Sequence, residues 1–264
     1  MILLYLVNIH LVCGGLFMIK SSNPALTSTV FRKAASLAGS SEVMTIDGTV
    51  NRCFILLALL VTAATITWGR FFDGASVMGY VVAGGGVGFV LALTLAFKKE
   101  WAPTIAPLYA CCQGLFLGAI SALFEQSYPG IVLQAVGLTF GTLFCLLGAY
   151  KSGMIKVTEN FKLGLVAATG GLMLFYLVSF VLSLVGVPLT LFQGSGLISV
   201  GFSLVVVVIA ALNLVMDFDF IENGADMGAP KYMEWYAAFG LMVTLIWLYV
   251  EIVRLLAKLQ SRRE

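Results

Sequence analysis

The chain has 264 residues, 60% of them hydrophobic and only 11% charged, with a mean hydropathy of +1.02. Soluble domains carry about 25% charged residues, and a soluble core of this length cannot hide so much apolar surface, so a soluble fold is excluded. A net charge of +2 leaves no nucleic-acid footprint, and the single histidine, His10, argues against a multi-histidine metal centre and a Ser/His catalytic pair.

Residues 1–18 form a short apolar run with almost no basic residue before it and no clear small-x-small cleavage site. It fits a signal-like segment, an extra span, or spurious sequence before a true start at Met18, the last being favoured. Residues 19–52 are polar, rich in Ser, Thr and Ala, and read as a flexible leader. The remainder, 53–264, reads as a transmembrane domain. No Asp, Glu, Lys or Arg occurs from Gly74 to Phe97, from Trp101 to Phe124 or from Gln126 to Tyr150. Each run exceeds the roughly 20 residues needed to cross the hydrocarbon core. The uncharged run from Leu163 to Met216 is too long for one span, and Pro188 with the Gly-rich tract 193–196 supplies a turn.

The expected spans are Cys53–Trp68, Ser76–Phe97, Pro103–Phe124, Ile131–Tyr150, Gly164–Val187, Gly196–Phe220 and Trp235–Ala257. Backbone in lipid must bond to itself, and these runs are continuous rather than alternating, so they are helices and not barrel strands. The fold class is an all-α integral membrane protein, a bundle of six transmembrane helices plus a seventh C-terminal helix. Gly84-Gly-Gly-x-Gly88, Gly114-x-x-x-Gly118 and Gly137-x-x-x-Gly141 place small residues on one helix face, where backbones can approach closely. The cysteines Cys13, Cys53, Cys111, Cys112 and Cys145 form no Cys-x-x-Cys pair and read as small apolar residues.

Basic loops set the orientation. With a cytoplasmic N-terminus, the inside loops hold Lys20, Arg32, Lys33, Arg52, Lys98, Lys99, Lys151, Lys156, Lys162 and Lys231. The outside loops before the last span hold only Arg70. The tail disagrees, because Arg254, Lys258, Arg262 and Arg263 fall outside if the seventh segment crosses. Either the tail is a tolerated exception or the last segment is re-entrant.

A charge at the centre of a span costs about 2.5 to 3.5 kcal/mol on insertion scales, so such residues are functional candidates. They concentrate late in the chain. Asp217 and Asp219 follow the apolar run 203–216, where they are either solvated carboxylates at a helix end or part of a buried acidic cluster. Glu251 sits in an apolar segment with Arg254 three residues on, on the same helix face, as a snorkelling pair or as part of that cluster. Close buried carboxylates share a proton, and when ionised they attract a hard cation such as Ca²⁺, which makes Asp217 and Glu251 a candidate weak metal site. Gln113, Gln134 and Asn213 can bond between helices or line a wet cavity, with Gln113 and Asn213 as pore-lining candidates.

At these residues the chain resembles the Bax inhibitor-1 family, and within it a bacterial branch. The resemblance rests on Ser22-Asn-Pro-Ala-Leu26, Met44-Thr-Ile-Asp-Gly-Thr-Val50, Pro107-Leu-Tyr-Ala110 with Gln113-Gly-Leu-Phe-Leu-Gly118, Tyr128-Pro-Gly-Ile-Val-Leu-Gln-Ala135, Lys156-Val-Thr-Glu-Asn-Phe161, and Asp217-Phe-Asp-Phe-Ile-Glu222 with Gly228-Ala-Pro-Lys-Tyr-Met-Glu-Trp235. It covers about residue 20 to the end. The resemblance implies a six-plus-one helix bundle acting as a pH-sensitive Ca²⁺ leak channel in the bacterial plasma membrane. The sensor would be an acidic pair, with Asp217 ending the sixth helix and Glu251 in the seventh, where Glu replaces the usual Asp. Arg52, Arg70, Lys98 and Arg254 are candidates for the basic latch. Three features depart from the family. Its Asp-Thr-Gln stretch reads Asp217-Phe-Asp219, Gln113 stands where relatives often have Glu, and the two acids are separated by 251 − 217 = 34 residues, more than is usual. With a turn centred near Met227, Glu251 would lie some 13 positions, or about 20 Å, deeper than Asp217. Direct pairing needs a turn near Glu234 or a late or bent seventh helix.

The functional expectation is a cation leak gated by protonation of Asp217, Asp219 and Glu251. Ca²⁺ or H⁺ and the bilayer are its partners, and it has no cofactor. The alternative is a non-transporting regulator that binds a membrane protease or another membrane protein. No enzyme is expected: an intramembrane aspartyl protease usually shows Gly-x-Gly-Asp, which is absent, and a retinal-type pump needs a mid-span lysine, whereas Lys258 lies at a helix end.

Overall fold

The computed structural model describes residues 43–186, 194 and 196–262. The extra apolar segment 1–18 and most of the leader lie outside these residues. The helices are α1 (Ile46–Phe72), α2 (Met78–Phe97), α3 (Ala102–Ser127), α4 (Ile131–Lys151), α5 (Glu159–Leu184), α6 (Leu197–Asp226) and α7 (Met233–Gln260), with one 3-10 turn at Lys99–Trp101. Seven helical segments among the described residues are long and apolar enough to cross a membrane. The chain is an all-α membrane protein.

Helix ends differ from the expected spans for local reasons. α1 begins at Ile46, so residues 46–52 of the expected leader are helical. Thr45 starts the helix by accepting the Gly48 N–H, with Asp47 in the first turn and Arg70 in the last, both favourable to the helix dipole. α6 runs to Asp226, six residues past the expected end at Phe220, so Asp217 and Asp219 are inside a helix and not at its solvated end. The break between α5 and α6 falls in the expected Pro188 and 193–196 tract, most of which lies outside the described residues. α7 is a continuous helix of 28 residues, which replaces the re-entrant alternative.

One charge interrupts the long apolar runs of the middle helices, and its role is local. Glu125, near the end of α3, accepts the Gly130 N–H at 2.6 Å and the Val132 N–H at 3.1 Å. It thereby satisfies donors at the start of α4 that lipid cannot satisfy. Gly130 takes φ +84, which lets the chain reverse within three residues of α3.

The chain divides into two compact units. One comprises Ile120–Met216 with the C-terminal part of α7 from Val243, and the other comprises 43–119 with Asp217–Met242. In the second unit α3 packs through glycines. A Cβ on Gly84 would lie 2.6 Å from the Cys112 carbonyl, and one on Gly88 would lie 3.0 Å from Gln113 Nε2. A Cβ on Gly114 would run into the Leu60 carbonyl, and one on Gly118 into the Ala64 backbone. Apolar side chains gain nothing by leaving lipid for protein, so this backbone proximity is what holds α1, α2 and α3 together. Gly137 and Gly141 differ, since nothing lies within 4 Å of a Cβ at either one. Their spacing matches that of Gly114 and Gly118, but among the described residues they mediate no such close approach, contrary to expectation.

Gly114→Val or Gly118→Val should therefore destabilise the fold by at least the roughly 1–3 kcal/mol typical of overpacking. Gly137→Ala and Gly141→Ala should be neutral or slightly stabilising through helix propensity. Thermal unfolding in detergent micelles measures both.

Candidate functional site

α7 is the most buried helix: 72% of its apolar window is enclosed, against 17% for α5. Glu251 lies on this helix at 1% exposure. Its carboxylate faces Arg254 Nη1 at 3.8 Å, one turn along. Trp247, one turn earlier, also lies beside it. The isolated ionised carboxylate would be costly here, and Arg254 offsets that cost without leaving the helix. Arg254 is itself more than one-third exposed, so the pair joins an enclosed group to an exposed one.

One turn beyond Arg254, Lys258 donates to Ser203 Oγ at 2.8 Å and to the Ser199 carbonyl at 3.3 Å, both on the first two turns of α6. Two cations of the basic tail, Arg254 and Lys258, thus have acceptors within the protein. In the same unit Asn213 is buried on α6. Its Nδ2 donates to Thr169 Oγ1 at 3.0 Å and to the Ile209 carbonyl at 2.7 Å, while its Oδ1 has no hydrogen-bond partner among the described residues.

The other unit holds Asp217, Asp219 and Gln113. Asp217 is half-buried on α6, with Cys53 of α1 close enough to feel its charge. Asp219 is also half-buried, and its backbone carbonyl accepts from Asn223 Nδ2. Gln113 is buried on α3, hydrogen-bonds Tyr109, and points its Nε2 at the space left by Gly88. Its Oε1 has no partner among the described residues, the same situation as Asn213 Oδ1.

Asp217 and Glu251 belong to different units. Asp217 lies 226 − 217 = 9 residues before the end of α6, and Glu251 lies 251 − 233 = 18 residues past the start of α7. The connection occupies 227–232, so the later turn near Glu234 that direct pairing requires is not formed. No group of three or more His, Cys, Asp or Glu among the described residues could hold a metal ion. Of the latch candidates, Arg254 meets Glu251, whereas Arg52 is directed elsewhere. Its Nε lies 3.8 Å from Glu234 Oε2 and its guanidinium covers the Trp235 ring at 4.7 Å. Arg70 and Lys98 stand at the ends of α1 and α2.

Glu234 was missed in the sequence. It is 1% exposed in the first turn of α7, and it binds Lys231 Nζ at 2.8 Å, the Thr45 N–H at 3.1 Å and the Thr45 hydroxyl at 3.0 Å. The i,i+3 pair Lys231–Glu234 was readable as a helix-start feature. The bond to Thr45, 189 residues away, was not.

A family profile described as Bax inhibitor 1 like matches residues 23–261. The chain belongs to the Bax inhibitor 1-like family. No curated protein and no solved structure matches it. Family membership covers α1 to α7, including Asp217, Glu234 and Glu251.

The Glu251–Arg254 pair has a separable energetic signature. Arg254→Leu leaves the carboxylate buried without its cation and should cost about 2 kcal/mol, between the values for exposed and for fully buried pairs. Adding Glu251→Leu should recover most of that loss. Denaturant unfolding of both single variants and the double variant gives the coupling.

Proposed function

We propose that this protein is a pH-sensitive leak for Ca²⁺ or another cation, gated by proton exchange on buried acidic side chains. Glu251 is the principal titrating group, Asp217 and Asp219 are further acidic positions, and Arg254 is the ion-pair partner. Glu251 carries the proposal: it is a carboxylate at 1% exposure in the most buried helix, with one cation 3.8 Å away. Arg254 is the cation that faces the carboxylate, so its position sets how well the charge is held. Loss of the charge frees Arg254, which is the local event that a gate requires.

Gln113 and Asn213 each present a buried carbonyl oxygen with no hydrogen bond among the described residues, and hard cations bind such oxygens. They are the candidate lining of the permeation route. Ca²⁺ is then a permeant ion and not a bound cofactor, and H⁺ is the regulator. Lys98 and Lys99 between α2 and α3, Lys156 between α4 and α5, and Lys231 between α6 and α7 favour a cytoplasmic N-terminus under the positive-inside rule, and the resemblance adds a bacterial plasma membrane as the setting.

The test is Ca²⁺ flux into liposomes holding the purified protein, across about pH 6 to pH 8. The parent flux should change several-fold across this range. Glu251→Gln should flatten the profile to within about twofold, and Asp217→Asn should weaken it. Identical profiles for the parent and both variants would rule out the gate. Absence of flux with a membrane protein co-purifying in stoichiometric amount would favour a regulator without transport.

A further inference from the structure

We infer that Glu234 is a clasp that straps the chain before α1 across the α6–α7 turn, and that opening this clasp releases α7 by a route separate from Glu251. The inference about ion flux rests on the leak proposed above, whereas the clasp itself does not.

The strap is residues 43–45. The Met44 N–H donates to the Ala229 carbonyl at 2.7 Å, and Val43 pairs with Pro230 in a single antiparallel bridge. Met44 is buried, with its sulfur over Gly224, where a Cβ would lie only 3.1 Å away. Thr45 then turns its N–H and its hydroxyl onto one oxygen of Glu234, the same Oε1 that takes Lys231. The second oxygen faces Arg52. Gly48 completes the fit, because the Glu234 carboxylate occupies the position of a Cβ there. A single buried side chain therefore joins the segment before α1, the first turns of α1, the α6–α7 turn and the start of α7.

The two cations do not enclose the clasp. The Lys231 and Arg52 side chains are 45% and 33% exposed, against 1% for Glu234. Both can swing into solvent, so what keeps the carboxylate in place is Thr45. Lifting the strap would strip it of its only bonds, among the described residues, from outside α7 and the preceding turn, apart from the long contact to Arg52. α7 continues unbroken from Met233 to Gln260, and Glu251 is 251 − 234 = 17 residues along it. A shift of the first turn is therefore carried along one stiff rod.

The experiment places spin labels at Ile46 and Met227, both well exposed, in a background without native cysteines. The parent should give one narrow distance distribution. Glu234→Gln and Thr45→Val should each broaden it, while Thr45→Ser, which keeps the hydroxyl, should restore it. In liposomes the two disruptive variants should raise Ca²⁺ leak several-fold at every pH without displacing the pH midpoint. Unchanged distances in both disruptive variants would overturn the clasp. Broadened distances with unchanged flux, or with a displaced midpoint, would overturn its separate action on α7. A parent without flux would remove the leak reading and leave the clasp to be judged on distances.

Discussion

The structure depends on how charge is held on its most enclosed helix. α7 carries two acidic residues at 1% exposure, Glu234 and Glu251, and each has a basic residue at three-residue spacing on the helix or just before it. An unpaired carboxylate in such surroundings costs several kcal/mol, more than most single packing contacts can return. The local cations Lys231 and Arg254 make these positions tolerable. Because the partners lie within one turn, the pairs form together with the helix. Glu234 makes a further contact, to Thr45 in the segment before α1.

The remainder of the bundle follows from the same solvent. Lipid supplies neither hydrogen bonds nor a hydrophobic drive between helices. Contacts within each unit therefore come from close backbones, as at Gly114 and Gly118, or from interhelical polar bonds. Asn213 to Thr169, Ser121 to Tyr249 at 2.7 Å, and Lys258 to Ser203 are bonds of this kind. Tyr109 and Phe239, edge to face at 4.9 Å, add an aromatic contact in the second unit.

The number and type of the helices were legible because charge is absent over spans of bilayer length. Their ends were less so. Polar residues at a span's edge fit equally well in a helix that projects into the headgroups, which is how residues 46–52 and 221–226 came to be helical. Which face of each helix is buried was not legible. Residues facing lipid are as apolar as residues facing protein, so Gly114-x-x-x-Gly118 and Gly137-x-x-x-Gly141 look alike in sequence and differ entirely in surroundings. Glu251 stood out because a charge in an apolar run is conspicuous. Glu234 did not, because it sits beside a polar turn, and its decisive partner is nearly the whole chain away.

The unbroken length of α7 has a consequence of its own. Its 28 residues extend about 42 Å, whereas the hydrocarbon layer is roughly 30 Å thick. The helix must tilt or leave turns in the headgroup layers at both ends. Arg254 lies a single turn beyond Glu251, and for a helix centred in that layer its far edge falls about 10 residues from the middle of α7, between Arg254 and Lys258. Thinning or thickening the bilayer thus changes how much lipid surrounds the guanidinium while leaving the carboxylate enclosed. Lipid chain length therefore bears on the surroundings of this ion pair, with no ligand needed.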